Sequence, residues 1–356
     1  MKRSSVVLFF LVCFGSVSAQ QELTLEQAVA LALNKNFDVQ LAQNAQKTTA
    51  SDDRFSIGLF LPLINASAST ARNANNQRIE FGGNRDSLNR TGTGEANNMV
   101  ATVQLNWVLF DGTKMFITRN RLETLDEQAQ LNLKGQMVNT VSTVILNYYD
   151  IVRQKQQLRA IEEQMAVSEE RVKLATRKLD VGIGAKPELL QAKVDYNAFK
   201  TQAFQQQASI QQLKEQLNVL TGLQLETPYE VADTILIDLD LQQAEIQESI
   251  ETKNYALLSA MKSVEAARFA VRERWAELSP VISLNAAYNY NRTNNIVLIN
   301  PFSPAFSQSD GYNVGFGITL PILNNLTRSR EIQKSRITLN RQWVLYNQNK
   351  ATVQAG

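Results

Sequence analysis

The stretch Ala101-Thr-Val-Gln-Leu-Asn-Trp-Val-Leu109 decides how the rest of the chain is read. Ala101, Val103, Leu105, Trp107 and Leu109 alternate with Thr102, Gln104 and Asn106, the period of two that puts one set on each face of a strand. Alternation over about ten residues, with aromatics near the ends, is what a tilted outer-membrane strand requires, one face meeting lipid and the other a watery lumen. A half-buried sheet of a soluble protein alternates in the same way. The polar face here carries amides and hydroxyls and almost no charge, which favours the membrane.

Three more runs share the pattern. Ile64, Ala66 and Ala68 alternate with Asn65, Ser67 and Ser69. Ile282, Leu284, Ala286, Tyr288 and Tyr290 alternate with Ser283, Asn285 and Asn289. Tyr312, Val314, Phe316, Ile318 and Leu320 alternate with Asn313, Gly315, Gly317 and Thr319. The expected lipid-facing set is therefore Val103, Leu105, Trp107, Leu109, Ile282, Leu284, Tyr288, Tyr290, Val314, Phe316 and Ile318. Four strands cannot close a spanning barrel, for which about eight is the practical minimum, and an open edge is not tolerated in lipid. Three copies would supply twelve strands, so a homotrimer is expected. The connections 71–98 and 292–311, rich in Asn, Gly and Arg, read as long exposed loops.

Outward from the strands, the chain repeats itself. Asn36-Phe37 lies 26 residues before Pro62 and Asn254-Tyr255 lies 26 before Pro280, the two pairs 218 apart. Trp107-Val-Leu-Phe-Asp-Gly112 corresponds to Leu320-Pro-Ile-Leu-Asn-Asn325 at an offset of 213. Each half is a helix, a two-faced hairpin and a further helix, which gives three copies a pseudo-sixfold arrangement. The first repeat is read over 20–222, with its β-hairpin at 62–110 and a long helical hairpin at 113–221. A linker with strand-like Ile235-Leu-Ile237 follows at 223–240, and the second repeat occupies 241–356 with its hairpin at 280–323. Position 356 matches Thr143 of the first half, so roughly 80 residues of the second repeat, its tip and return helix among them, have no counterpart. The expectation is an artificial end or a premature stop at Gly356.

The helices carry their own signals. Thr24-Leu-Glu-Gln27 is a capping-box pattern before a short helix, and a second helix runs from about Phe37 to Leu59. From Asp111-Gly112 to about Asp180 the helical period is uninterrupted, and Met137, Val141, Val144, Tyr148, Ile151, Leu158, Met165 and Val172 form a heptad seam. Such a rod is about 100 Å long at 1.5 Å per residue. Val181-Gly-Ile-Gly-Ala185 breaks it and Pro187 restarts a helix. That helix carries Leu189, Ala192, Tyr196, Phe199, Ala203, Ile210, Leu213, Leu217 and Leu220 on a second seam and ends at Thr221-Gly222. Part of the Gln-, Lys- and Glu-rich remainder, solvated surface residue by residue, is expected collectively to line a water-filled tunnel.

Composition narrows the function classes. Lys2 and Arg3, the apolar run Val6 to Phe14 and Val17-Ser18-Ala19 read as a cleaved secretory signal over 1–19. Lys2 and Arg3 are two of 36 basic residues, so the remainder balances the 34 acidic ones and offers no bulk attraction for nucleic acid. Histidine is absent and the single cysteine, Cys13, lies in the signal. The commonest general base and metal ligand is thus missing, and no carboxylate spacing suggests a hydrolase. Neither an enzyme nor a cofactor is expected.

The whole chain past the signal resembles the TolC-like outer membrane efflux protein family. The resemblance rests on Leu25-Glu-Gln-Ala-Val-Ala-Leu-Ala32, on Leu109-Phe-Asp-Gly112, and on Val181-Gly-Ile-Gly-Ala-Lys-Pro-Glu-Leu-Leu-Gln-Ala192. It implies an α+β membrane protein, with long antiparallel helical hairpins forming a periplasmic α-barrel. Four transmembrane strands per chain would join a trimeric 12-stranded β-barrel in the outer membrane. It further implies a periplasmic adaptor and an inner-membrane transporter as partners. The tip Val181, Gly182, Ile183, Gly184 and Ala185 would meet the adaptor, or serve simply as a helix–helix turn that needs glycine. Glu188 would belong to the network closing the tunnel entrance, or place a favourable charge at a helix N-terminus. The function expected is a passive exit duct for small molecules or peptides in an efflux or type I secretion system. Its rivals are a periplasmic coiled-coil adaptor or structural module, a carboxylate-dependent hydrolase, and a non-functional fragment.

Overall fold

The computed structural model describes residues 21–80, 88–232, 253–300, 302–323 and 326–355. The signal at 1–19, the strand-like Ile235–Ile237, the opening of the second repeat at 241–252 and Asn324-Asn325 lie outside the described residues. Two compact units are present, and the chain visits each twice.

The first unit takes in the described parts of 21–44 and 133–243. Strand β1 (Gln21–Leu23) leads into α1 (Leu25–Lys35), whose capping box forms as its sequence requires: Thr24 Oγ1 accepts from Gln27 N–H and Gln27 Oε1 accepts from Thr24 N–H, both at 3.3 Å. Helix α2 (Phe37–Arg54) starts here and ends in the second unit, followed by a 3-10 turn over Phe55–Phe60. The hairpin later in the chain forms from α3 (Lys114–Asp180), which enters from the second unit, and α4 (Lys186–Thr221). Strand β4 (Tyr229–Val231) then pairs in parallel with β1.

Leu23, Ala28, Ala32, Val144, Tyr148, Ile151, Val152, Ile210, Leu217, Tyr229 and Val231 pack into one core. Tyr148, 2 % exposed, sits at its centre. Its hydroxyl donates to Leu23 O at 2.9 Å and accepts from Ala232 N–H at 3.0 Å, satisfying one backbone group beside each short strand. The expected seam of α3 is half of the observed one. Beyond Ile151 and Val152 the buried positions are Ile161, Ser168 and Ala175, while Leu158, Met165 and Val172 are only partly buried. The two rows interleave at spacings of three and four, and the second was hidden because Ser168 and Ala175 are small or polar. On α4 the buried Ala203, Ile210 and Leu217 do lie on the seam read from sequence.

The second unit holds the described parts of 45–132 and 244–356. Its four-stranded sheet consists of β2 (Leu63–Ile79), β3 (Arg90–Phe110), β5 (Val281–Val297) and β6 (Phe306–Thr319). Their order is β2-β3-β5-β6 and every pairing is antiparallel. The helices of this unit are the ends of α2 and α3 it contains, α5 (Tyr255–Ala276) and α6 (Thr327–Ala355). The start of α3 lies against α5 through a polar zipper: Lys114–Glu277 at 2.7 Å, Arg121–Glu273 at 2.8 Å, Lys262–Glu127 at 2.6 Å and Gln128–Ser263 at 2.7 Å.

The strands outrun the expected ones. Much of 71–98 and 292–311, read as loop, continues the ladder: Ile79 still pairs with Arg90, and Asn294 with Phe306. Strand pairing needs only backbone hydrogen bonds, so a hairpin can extend past the point where hydrophobic alternation stops.

Matching local features recur at the repeat offsets. Asn36 caps α2 by accepting from Val39 N–H at 3.2 Å, and Asn254 caps α5 by accepting from Leu257 N–H at 3.0 Å. Val39 and Leu257 are both buried. After the hairpins, Thr113 and Leu326, 213 apart, share a left-handed backbone with φ 70° and 61°.

Candidate functional site

The register of the sheet assigns every strand residue to a face. One face carries Trp107, Leu284 and Phe316 in one row, then Ile64, Leu105, Ala286 and Val314, then Ala66, Val103, Tyr288 and Tyr312, then Ala68, Ala101, Tyr290 and Asp310. Ile282 and Ile318 pair in the row below Trp107. The apolar residues of four separate runs thus form one continuous surface. From Ile282 to Tyr290 it spans about 26 Å along the strand at ~3.3 Å per residue. At a ~40° tilt this is about 20 Å of height, against the ~25 Å apolar band of outer-membrane barrels. Trp107, Phe110 and Phe316 lie toward one end, and Tyr288, Tyr290 and Tyr312 toward the other. Above the tyrosines the same face turns polar: Arg72 pairs with Glu95 at 2.7 Å, and the Arg292 guanidinium lies over the Phe306 ring at 5.4 Å.

One expected position needs correcting. The β3–β5 register shifts between Val108 and Phe110, so Phe110, and not Leu109, is the residue opposite Ile282. A bulge of this kind sets two residues against one and increases the local twist. Nothing in the alternation of Trp107-Val-Leu109 announces it.

The opposite face is hydrophilic. Asn65, Gln104 and Asn313 occupy one row, and Ser67, Thr102 and Asn289 the next, with Gly311 completing it. Thr102 Oγ1–H donates to Asn289 Oδ1, and Asn289 Nδ2–H donates to Asn313 Oδ1, both at 3.1 Å, so the side chains form a ladder across three strands. Among the described residues, many of the sheet's large apolar side chains stay exposed, and the 3-10 turn reaches the sheet where Trp107 Nε1–H donates to Phe60 O at 2.8 Å. Phe316 is 74 % exposed, and Val103, Trp107, Leu109, Tyr288, Val314 and Ile318 are also exposed, while Leu105, Ile282, Leu284 and Tyr290 are partly buried by neighbouring strands. Among the described residues, the outer edges of β2 and β6 have no strand partner.

The α3–α4 tip, in the first unit, is a separate surface. Gly182 has φ +81°, a left-handed conformation natural to glycine. A Cβ on Gly184 would lie 2.8 Å from Leu179 N and 2.9 Å from Lys178 C, too close for any other residue. Ile183 N–H and Gly184 N–H both donate to Lys178 O, at 3.0 and 2.9 Å, closing the end of α3. Val181 and Ile183 are left 69 % and 79 % exposed. Ala185 precedes α4 without a side-chain cap. Glu188 stands in the first turn of α4, half exposed, with Lys178 Nζ at 3.4 Å.

A third cluster escaped the sequence reading. Glu230 on β4 receives Lys214 at 2.9 Å and Lys155 at 3.1 Å, and Tyr229 O–H donates to Lys214 O at 2.8 Å. Partial burial pushes the Glu230 carboxyl up, but the two lysines outweigh it and hold the group below the usual carboxylate range. Burial raises the Tyr229 and Tyr148 hydroxyls, so both stay protonated. A strand of three residues is too short for periodicity to reveal. Among the described residues no helix is long and apolar enough to cross a membrane, and no acidic or cysteine cluster could hold a metal ion.

A two-faced sheet of paired hairpins, combined with a long helical hairpin, defines the subunit class of outer-membrane channels that carry a helical extension. The family model "Outer membrane efflux protein" matches residues 28–223, taking in β2, β3 and the tip. The chain belongs to the outer membrane efflux protein family. It is 24 % identical over 241 residues to the outer membrane efflux protein BepC of Brucella suis biovar 1 (strain 1330), a match covering 66 % of this chain and 49 % of that one. It therefore spans about half the length of this relative. The Campylobacter jejuni CmeC outer membrane channel superposes with a TM-score of 0.74 at 17 % identity, covering 92 % of this chain and 68 % of that one. The outer membrane protein VceC of Vibrio cholerae gives 0.68 at 16 %, covering 92 % and 75 %. At these identities the structures speak for a shared fold.

Proposed function

We propose that the chain is the channel component of a tripartite efflux or type I secretion system: a passive exit duct through the outer membrane for small molecules or peptides. The observation that carries this reading is a sheet with one exposed apolar face and one polar face nearly free of charge, its two edges unpaired among the described residues. Leaving so much aliphatic and aromatic surface in water is unfavourable by roughly 25 cal/mol per Å²; hydrocarbon removes that cost. The edges still demand partners, since lipid offers none. In an all-antiparallel sheet of four strands β2 and β6 run in opposite directions. The β6 edge of one copy can therefore pair antiparallel with the β2 edge of the next, and three copies close twelve strands.

The same reading gives the other surfaces their roles. Val181, Gly182, Ile183, Gly184 and Ala185 would dock a periplasmic adaptor, the exposed Val181 and Ile183 supplying the apolar contact. Glu188 would belong to the closed entrance and exchange Lys178 for another partner on opening. An inner-membrane transporter would supply the energy, because the duct itself catalyses nothing and uses no cofactor. Fractionation tests the core of this: the exported protein should stay with the outer membrane through a salt wash and leave it in mild detergent as a trimer. Release by salt would overturn the channel reading. Gly182→Pro should abolish export, measured as lost resistance to an exported toxicant, while trimers persist; unchanged export would remove the tip from the docking surface.

A further inference from the structure

All but one of the charged residues of this sheet's described strands lie on one face. Arg72, Arg78, Glu95, Arg292 and Asp310 all register with the apolar face or its polar continuation. The other face runs from the row of Leu63, Asn106, Asn285 and Gly315 to the row of Asn73, Ala96 and Asn295 without a single charge. Arg90, at the far end of β3, is its first charged residue. Most of this face is amide and hydroxyl, three of them tied into the Thr102–Asn289–Asn313 ladder, with Leu63, Val100 and Ala287 among its apolar members. Along β6, Gly311, Gly315 and Gly317 leave a strip with no side chains, and beside Gly311 and Gly315 the space is open.

We infer that the strand-lined part of the duct is indifferent to the sign of a solute's charge. It selects by width and hydrogen bonding, and so passes cationic, anionic and neutral cargo alike. The inference rests on the channel reading, which puts this face toward the lumen. The physical ground is that a pore discriminates ions through charged rings or ordered dipoles at close range. Amides and hydroxyls offer donors and acceptors to either sign, and between the Leu63–Gly315 row and the Asn73–Asn295 row no fixed charge stands on the wall. Any charge selection by the whole conduit must then arise elsewhere along it.

The test uses thiol chemistry in intact outer membranes, in a Cys13→Ser background so that each introduced thiol is unique. Asn291 is exposed on this face and outside the ladder, opposite Ser309 on β6. Asn291→Cys should react with cationic and anionic methanethiosulfonates at rates equal within about threefold, after normalisation to a free thiol. Adding Ser309→Asp calibrates the probe, since one carboxylate ~5 Å away in water favours the cationic reagent over the anionic by about tenfold. A tenfold or greater preference in Asn291→Cys alone would overturn the inference and leave the channel reading standing. Val103→Cys, on the apolar face, should resist both reagents. Rapid aqueous labelling there, or no labelling at Asn291→Cys, would overturn the channel reading and with it this inference.

Discussion

The core around Tyr148 and the β2-β3-β5-β6 sheet solve opposite problems with similar residues. In the first, Val144, Ile151, Leu217 and Val231 are buried in one core, and a tyrosine hydroxyl serves the backbone of Leu23 in β1 and of Ala232 just after β4. In the second, Val103, Val314, Phe316 and Ile318 are aligned on one face and stay exposed among the described residues. The first region carries its solvent-excluding partner within the chain. On the function proposed above, the second finds it in lipid and in further copies of itself. Stability measured in water should report on the former and insertion on the latter.

Mutations can break that contrast. Tyr148→Ala removes the centre of the core and two hydrogen bonds, and should cost the first unit about 3–5 kcal/mol. Thermal scans of detergent-solubilised protein, read by protease resistance of the α3–α4 hairpin, would show it; membrane insertion of the sheet should suffer far less. Leu105→Arg should do the reverse, since an arginine on the lipid face at mid-bilayer costs about 2–4 kcal/mol. Gln104→Arg, one residue away on the polar face, should insert nearly normally. Equal membrane yields for the two arginine variants would dissolve the distinction between the faces.

Finer effects sharpen it. Tyr148→Phe keeps the packing but leaves Ala232 N–H and Leu23 O without their partner, a loss of about 1–3 kcal/mol on the same thermal scan. The smallest effect concerns Glu230. Its folded pKa is depressed, so the stability it adds is present above the ordinary glutamate range and is lost as pH falls through the lower folded value. The group is partly exposed, and screening keeps the contribution below about 1 kcal/mol. Glu230→Gln should flatten the acid limb of the stability curve of this unit and leave its neutral-pH folding intact.

What was legible in the chain was whatever a short local rule determines. Thr24 with Gln27, Pro187 at the start of α4 and Gly222 after its end mark helix termini because capping involves near neighbours alone. The strands were legible where their two faces differ in polarity, as in Ala101–Trp107. Beyond that band both faces are polar, the alternation disappears, and Arg90–Asn98 and Arg292–Val297 read as loop although the ladder continues. The β3–β5 junction, the bulge before Phe110, and the pairing of Gln21–Leu23 with Tyr229–Val231 depend on residues far apart in sequence, and no local pattern carries them. The tip glycines were found by sequence, but the Lys178–Glu188 contact needed the turn to be built.

The facing of β6 is the most direct test of the account. Single cysteines at 313 to 318, spin-labelled in outer-membrane vesicles, would report collisions with oxygen in lipid and with a nickel chelate in water. The account predicts oxygen-dominated collisions at Val314, Phe316 and Ile318 and nickel-dominated collisions at Asn313, Gly315 and Gly317. Equal access of the nickel chelate to both sets would contradict it.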